Sequence, residues 1–219
     1  MAYLHKFVHS LVKRIDELIE QKSLLKHPFY VMWTEGSLSI DSISGYSKEY
    51  FQLVKAVPTF VDSIMDHSPY SMKDSISSNK KEEEEHIRPW IRFASSLGIS
   101  QTELEKYSGL KKTRKAVSTL SALMGSFEGG SAAMYAFEKE IPKISDTKLD
   151  GLKKFYGLTS HDAIDYFLIH AEADIRHAAV WRAILENTQK EREDNLIQIA
   201  KRSLDAQNML LDSCYEAYC

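Results

Sequence analysis

The chain has few of the residues that interrupt or cross-link a protein fold. Its 219 residues include only 9 glycines, 5 prolines and 2 cysteines. So few glycines and prolines among long periodic segments predict an all-α fold. Both cysteines, Cys214 and Cys219, lie at the C-terminal end, where an incidental or labile cysteine pair gives little information about the fold or the function. The rest of the chain is free of cysteine, which suits a reducing cytosol, so we expect a cytoplasmic protein.

The net charge is small, and the apolar segments are short. The net charge of −3 gives no electrostatic argument for nucleic-acid binding. No segment approaches the roughly 18 uninterrupted apolar residues of a membrane span. The first 21 residues carry Lys, Arg, Asp and Glu throughout, which predicts an amphipathic helix and not a cleaved signal. With 43% hydrophobic and 27% charged residues, the composition is typical of a globular protein, and we expect residues 1–219 to form one domain.

Apolar periodicity predicts about seven helices and no domain linker. Pro58 should kink the second helix, and the Gly129–Gly130 pair should permit either a bend in the fourth or the close approach of a neighbour. Ser39 and Ser160 are expected N-caps. The predicted ranges, with a short helical turn near 100–107, are 3–22, 40–66, 71–97, 113–140, 146–156, 160–188 and 191–216.

Three polar residues interrupt the most apolar face of the 160–188 helix. At about 100° per residue, Asp174 lies about 40° from His170, and His177 lies about 20° away on the other side. Tyr166, Phe167 and Trp181 share this arc, whereas most charged residues of the segment turn away from it. Burying two imidazoles and a carboxylate there costs several kcal/mol unless a partner compensates them. A metal ion would do so, and the alternative is a hydrogen-bonded His–Asp–His cluster.

Two more helices show the same anomaly. In the 71–97 helix, His86 shares its face with Trp90 and Phe93, while Glu82 and Glu83 lie one turn earlier, at i−4 and i−3. In the 113–140 helix, Glu138 continues the apolar stripe that contains Met134; a salt bridge near the helix end would also explain it. Three carboxylates and three imidazoles on apolar faces predict one shared site. Such mixed oxygen and nitrogen ligands suit two iron or manganese ions better than structural zinc.

Three segments carry a family resemblance: HPFYVMW (27–33), FEKEIPKI (137–144) and HAEADIRHA (170–178). They resemble the chlamydial death-domain-associating protein family, from about residue 7 to about residue 190. These proteins are heme-oxygenase-like di-iron oxidases, in the superfamily of PQQ synthase and the TenA thiaminases. The resemblance implies a single-domain, heme-oxygenase-like bundle of about seven helices. It also implies two iron ions, with manganese or a mixed pair as alternatives, held by Glu82, His86, Glu138, His170, Asp174 and His177.

The resemblance also implies an activity. The family's assigned reaction is an oxygen-dependent synthesis of para-aminobenzoate, for folate biosynthesis, in which the protein consumes its own side chains. A tyrosine supplies the ring and a lysine the amino nitrogen; by position these would be Tyr30 and Lys148. The implied partners are O2 and a reductant, and the resemblance allows a homodimer and the binding of host death domains.

The chain departs from the family pattern in two places. Relatives space the first Glu and His seven residues apart, but here that position is Asn79, so Glu82 is expected as the ligand and Glu83 stays open. We therefore expect Glu82→Ala to lower metal occupancy more than Glu83→Ala. The chlamydial protein has Tyr immediately before the third ligand, where this chain has Phe137. If that tyrosine relays an electron, Tyr135 and Tyr166 are the candidates to replace it.

Other functions have less support. A TenA-type thiaminase needs a nucleophilic cysteine inside the bundle, and a cofactorless PQQ-synthase-like oxidase would not need Glu138 and Asp174 buried together. Heme binding has His27 as its sole hint. An oxidase acting on an external small molecule and a non-enzymatic death-domain-binding protein remain the alternatives, although no exposed apolar patch or charge block supports the second.

Overall fold

The structure, a computed structural model, describes the backbone of residues 2–219 and the side chains of residues 11–219. The described residues form α-helices joined by short loops and 3₁₀ turns, without a strand. The all-α prediction is confirmed. The helices are α1 (Ala2–Gln21), α2 (Pro28–Glu35), α3 (Ile40–Val54), α4 (Val57–Asp66), α5 (Lys73–Ser96), α6 (Gln101–Lys106), α7 (Lys111–Leu123), α8 (Phe127–Glu138), α9 (Ile141–Phe155), α10 (His161–Leu185) and α11 (Glu193–Tyr218).

Two predicted long helices are each divided in two. The predicted 40–66 helix is not kinked but broken, because Pro58 lacks an N–H and lies in the first turn of a new helix, α4. The predicted 113–140 helix breaks at 124–126, between α7 and α8. Both glycines of the Gly129–Gly130 pair lie inside α8, so they do not mark the break; of the two expected alternatives, the structure shows the close approach of a neighbour. Gly130 permits close approach of α4: a Cβ there would lie 2.4 Å from Ile64.

The sequence prediction also missed α2 and the first turn of α9. His27 caps α2 by accepting a hydrogen bond from the amide of Phe29 at 3.1 Å, and Pro28 starts the helix. Both expected serine caps are present: Ser39 accepts from the amide of Ser42, and Ser160 accepts from the amide of Ala163. The short helical turn expected near 100–107 is α6.

Helix α10 lies at the centre of the part of the fold that carries the functional residues. It packs against α5, α8 and α9, and α11 packs against α3, α7 and α8. One continuous cluster of buried apolar side chains runs through all of these helices. No helix among the described residues combines the length and apolarity needed to cross a bilayer. The amphipathic character predicted for the first ten residues lies outside the described side chains.

Candidate metal centre and the adjoining tyrosine–lysine cavity

Helices α5, α8 and α10 bring the predicted polar residues together in the interior. On α10, the polar side chains of His170, Asp174 and His177 are each at most 3% exposed, so bulk water does not solvate them. Glu138, in the last turn of α8, is 1% exposed. The arc predicted from helical periodicity is thus the face that α10 turns toward α5 and α8. Burial of these four residues is the observation from which the site follows.

Side-chain donor atoms meet there in two overlapping groups. Within each group the ligand atoms all lie within 4.8 Å of one another. The groups share one carboxylate, Glu83, which therefore lies between them. The first group is Glu83, His86 and His170, and the second is Glu83, Glu138, Asp174 and His177. Two adjoining groups with a shared carboxylate form the arrangement that a pair of bridged metal ions needs.

Several polar atoms of these groups have no hydrogen-bond partner among residues 11–219. They are Nδ1 of His86, Oδ2 of Asp174 and Nδ1 of His177. The nearest carboxylate oxygen of Glu83 is 3.7 Å from Nδ1 of His86, too far for a hydrogen bond, and the other Glu83 oxygen is 3.1 Å from Nδ1 of His177, without the alignment of one. Buried polar atoms without partners are costly, and a cation bound between them would remove that cost. The residues present therefore fit the metal ions that the resemblance implies.

Hydrogen bonds to the outer atoms orient the rings and one carboxylate. Nδ1 of His170 lies 2.8 Å from the carbonyl oxygen of Tyr166, so this nitrogen donates and Nε2 is left as the ligand atom. Nε2 of His177 lies 3.1 Å from Oε2 of Glu82, which leaves Nδ1 facing the site. Trp181 donates its indole N–H to Oε2 of Glu138 at 2.6 Å. These contacts are of the kind that fixes the geometry of metal ligands in proteins.

Glu82, which the family resemblance implied as a ligand, lies outside both groups. Its side chain is 30% exposed and accepts hydrogen bonds from Arg176 at 2.8 Å and from His177 at 3.1 Å. Glu83 is 6% exposed and faces the interior. The structure therefore brings together five of the six expected ligands and places Glu83, at i−3 from His86, where Glu82 was expected.

The protonation states of two of the buried groups, His170 and Glu83, suit a cation before it binds. Burial lowers the pKa of His170, which favours the neutral imidazole that a metal needs. Burial by itself would raise the pKa of Glu83, but the adjacent rings of His177 and His86 hold it well below its usual range.

Burial by itself would lower the pKa of His177, but the adjacent carboxylates of Asp174 and Glu83 raise it to about 11, so this ring must lose a proton when a cation binds. Burial raises the pKa of Glu138 well above its usual range, and raises that of Asp174. A bound cation would favour the ionised form of both carboxylates.

A second buried cluster adjoins the metal-ligand groups and contains Tyr30 and Lys148. Tyr30 is 2% exposed and Lys148 is 4% exposed. The Lys148 Nζ lies 4.8 Å from the centroid of the Tyr30 ring and donates a 2.6 Å hydrogen bond to the hydroxyl of Tyr46. The Tyr46 hydroxyl lies 3.1 Å from that of Tyr30. Two residues 118 positions apart in the sequence are therefore neighbours in the fold.

Lys148 is unusual because aromatic rings surround it and no carboxylate pairs with it in the described part of the chain. Its Nζ lies 5.0 Å from the ring of Tyr46, 4.9 Å from that of Tyr50 and 5.5 Å from that of Phe167. Burial lowers the pKa of Lys148 from 10.5 to about 7. A substantial fraction of this amine is thus neutral, and nucleophilic, near neutral pH.

Two narrow cavities border this cluster and the metal-ligand groups, one beside each. One, of about 20 Å³, is lined by Tyr30, Lys148 and Tyr166 among others. The other, of about 10 Å³, is lined by Tyr166 with Glu83, His170 and Asp174. Both are also lined by Tyr50 and Phe137, so these aromatic rings form the shared wall. About one water-sized molecule fits in such a volume, which is enough for a diatomic gas.

The two tyrosines proposed as electron relays occupy different places. Tyr166 stacks on the His170 ring, with centroids 3.9 Å apart and planes at 26°, and lines both cavities. Tyr135 is also buried, but its hydroxyl donates to Asp16 at 2.7 Å and its ring lines a surface cleft. Only Tyr166 of this pair lies between the metal-ligand groups and Tyr30.

Comparison with known proteins decides the family. The family model described as iron-containing redox enzyme matches residues 47–208, which is most of the chain. The chain belongs to this family of iron-containing redox enzymes. It is therefore an oxidoreductase by family, and the matched segment includes every residue of the two ligand groups.

Within this family the chain has curated relatives of nearly equal length. A 4-aminobenzoate synthase of Nitrosomonas europaea is 32% identical over 225 residues, covering 94% of this chain and 92% of the relative. A 4-aminobenzoate synthase of Chlamydia muridarum is 29% identical over 216 residues, covering 94% and 91%. The resemblance proposed from the three sequence segments is confirmed.

Solved structures confirm the expected fold. A TenA homolog of Pseudomonas syringae superposes with a TM-score of 0.81 at 14% identity, covering 94% of this chain and 93% of the homolog. A domain of unknown function from Shewanella denitrificans, with a heme oxygenase-like fold, gives 0.75 at 16% identity, covering 98% and 93%. At these identities the likeness concerns the fold alone.

Sequence reasoning missed three residues that contact the predicted ones. Tyr46 and Tyr50 lie one turn apart on α3 and face Lys148, a spacing that the sequence displays and that could have suggested a shared face. Trp181 was assigned only to the apolar arc of α10, and its N–H was not matched to a carboxylate. A buried Trp N–H needs an acceptor, and this requirement could have indicated a carboxylate such as Glu138 as its partner.

The structure also bears on two alternatives. Both ring nitrogens of His27 have partners, the amide of Phe29 and the carboxylate of Asp212 at 3.1 Å, so neither faces a heme cavity. Cys214 is fully buried, and burial raises the pKa of its thiol well above the usual value. A thiol held protonated is a poor nucleophile, so the cysteine that a thiaminase requires is not provided here.

Proposed function

We propose that this chain is an oxygen-dependent, dinuclear-iron 4-aminobenzoate synthase that builds its product from Tyr30 and Lys148. The observation that carries the proposal is the contact between these two side chains, in a closed aromatic cavity bordering the metal-ligand groups. The names of the curated relatives support the same product. The expected co-substrates are O2 and a reductant.

We assign the metal ligands as Glu83, His86, Glu138, His170, Asp174 and His177, with Glu83 in place of Glu82. Oxygen and nitrogen ligands in this ratio suit iron or manganese. Bound iron would supply the activation of O2 and a strong oxidant. Glu82, Trp181 and the Tyr166 carbonyl hold three of these ligands in position, since each contacts the outer atom of one ligand.

The surrounding residues prepare Lys148 and Tyr30 to react with each other. The apolar cavity keeps the Lys148 amine partly deprotonated, so that its lone pair is available to a carbon of an oxidised ring. Burial raises the pKa of Tyr30 and of Tyr46 well above the usual value, so both phenols are protonated at rest. Lys148, Tyr46 and Tyr30 form one hydrogen-bonded chain along which a proton can move.

Tyr166 is the residue best placed to carry oxidising equivalents between the two clusters. Phe137 occupies the position where the chlamydial relatives were expected to have tyrosine, and it has no oxidisable hydroxyl. Tyr166 lies against His170 on one side and lines the Tyr30 cavity on the other. We assign the relay to Tyr166 and not to Tyr135. Homodimer formation, cytoplasmic location, a single domain and death-domain binding stay predictions.

The test is a single-turnover experiment on the iron-loaded chain with O2 and a reductant. We expect at most about one 4-aminobenzoate per chain, with altered mass confined to the peptides that contain Tyr30 and Lys148. Tyr30→Phe and Lys148→Arg should each abolish the product while iron content stays unchanged. The matched controls are Tyr70→Phe and Lys153→Arg, both at exposed positions.

Two outcomes would contradict the proposal. One is product formation by either cavity variant at the wild-type level. The other is sustained turnover of an added small molecule with both side chains intact, which would make the chain an iron oxidase for an external substrate.

A further inference from the structure

A surface cleft reaches the metal-ligand groups at Asp174 and shares no lining residue with the Tyr30 cavity. It lies between the end of α8, the start of α9 and the middle of α10, and Asp174 forms part of its wall. Its volume is about 280 Å³, close to the lower end of the roughly 300–1,000 Å³ typical of small-molecule sites. The first turn of α9 separates it from the closed cavity, which contains Ile141 and Ile144.

The rim of the cleft carries three cationic side chains. Lys139 and Lys143 are exposed and form no ion pair in the described part of the chain, whereas Arg182 pairs with Glu186 at 2.9 Å. Asp174 is the one carboxylate among the residues that line the cleft, so the rim carries an excess of positive charge. The combined field of these cations favours an anionic ligand.

The wall beneath the cations is apolar. It is formed by Pro142, Ile175, Ala178 and Ala179. Ile175 is 62% exposed, which is high for a large aliphatic residue on a packed helix. A flat apolar wall under a positive rim matches a molecule with an apolar ring and one negative group. A polar anion such as ascorbate, an enediol without an apolar ring, would make little apolar contact with this wall.

We propose that this cleft binds small aromatic monocarboxylates, with the carboxylate toward Lys139 and Lys143 and the ring on Ile175. The ligand class, an aromatic ring with one carboxylate, follows from the apolar wall and the cationic rim of the cleft. That the physiological occupant is 4-aminobenzoate, held after it leaves the closed cavity, rests on the proposed function. Retention there would place the product beside Asp174.

Calorimetric titration of the full-length chain, with manganese bound and without it, tests the proposal. The probes are benzoate, 4-aminobenzoate, uncharged 4-aminobenzamide and ascorbate. We expect both carboxylates to bind with a Kd of about 1 mM or tighter, as befits ligands of this size, whether or not metal is present. The amide and ascorbate should bind at least about fivefold more weakly, and raising salt should weaken the carboxylates.

The variant pair is Lys139→Gln with Lys143→Gln, and the matched control is Lys153→Gln with Lys154→Gln, which removes the same charge in the last turn of α9. We expect the first pair to weaken benzoate binding about five- to tenfold and the second to leave it unchanged. Ile175→Ser should weaken both carboxylates and leave metal affinity unaltered.

The outcomes separate this inference from the proposed function. No benzoate binding tighter than about 10 mM, binding that needs the metal, or equal effects of the two lysine pairs would each overturn the cleft assignment and leave the synthase proposal standing. Ascorbate binding tighter than benzoate would also overturn it. Benzoate binding that depends on the cleft lysines supports it, even if no 4-aminobenzoate is ever produced.

Discussion

Replacing Lys148 by methionine should stabilise the protein while abolishing its chemistry. Folding moves the amine from water into an aromatic cavity and lowers its pKa from 10.5 to about 7. Each pH unit of that difference is worth about 1.4 kcal/mol, so burial of this lysine costs about 5 kcal/mol below pH 7. Methionine has a similar length and no charge, and it fills the same space.

The pH dependence gives this prediction its sign. Below pH 7 the amine is protonated in both the folded and the unfolded chain, so the cost is complete and constant. Between about pH 7 and 10.5 only the unfolded chain holds the proton, so the wild-type stability rises with pH by about 1.4 kcal/mol per unit relative to Lys148→Met. The stabilising effect of the substitution should therefore be largest at and below pH 7 and shrink as the solution becomes alkaline.

Urea unfolding of both proteins at pH 6, 7, 8 and 9, in the same metal state, measures the difference. Lys153→Met, at an exposed position on the same helix, is the control and should follow the wild type at every pH. If the free energies of unfolding of wild type and Lys148→Met run parallel from pH 6 to 9, Lys148 is charged in the folded protein. The argument for a neutral amine nucleophile would then be refuted.

Three further substitutions test the metal centre and the packing. Glu83→Ala should lower iron content far more than Glu82→Ala, as measured by elemental analysis. Equal losses would contradict the assignment of Glu83 as a direct metal ligand. Trp181→Phe removes the indole donor to one metal-ligand carboxylate and should weaken metal binding about 10- to 100-fold in a competition assay, with the fold intact by circular dichroism. Gly130→Ala forces a Cβ into the neighbouring helix and should cost about 1–3 kcal/mol of unfolding free energy, whereas Gly125→Ala, which meets no atom within 4 Å, should be neutral.

Local periodicity was sufficient to identify most of the metal ligands. His170, Asp174 and His177 share one arc of α10 because the rise and rotation of a helix are set by the backbone, whatever packs against it. Their burial, and that of Glu138, follows because a face rich in Phe, Trp and Ala turns inward. Helix boundaries were predicted less well, since Pro58 lies in the first turn of a new helix where a kink was expected.

Choosing between Glu82 and Glu83 required the tertiary structure. Both lie within about 60° of His86 on the helix surface, so the sequence alone permits either. The rotation of α5 against α10 decides which of the two meets His177 from inside and which meets it from the solvent side. That rotation depends on the packing of the whole helix pair, and no local pattern encodes it.

The contact between Tyr30 and Lys148 also required the tertiary structure. By itself, the sequence determined an all-helical chain with buried imidazoles and carboxylates on three helices, because amphipathic periodicity is a local property. Only the tertiary structure brought Tyr30 of α2 against Lys148 of α9, surrounded that lysine with the tyrosines of α3, and so moved its pKa to about 7. Desolvation depends on every atom around a group, and those atoms come from segments that are distant along the chain.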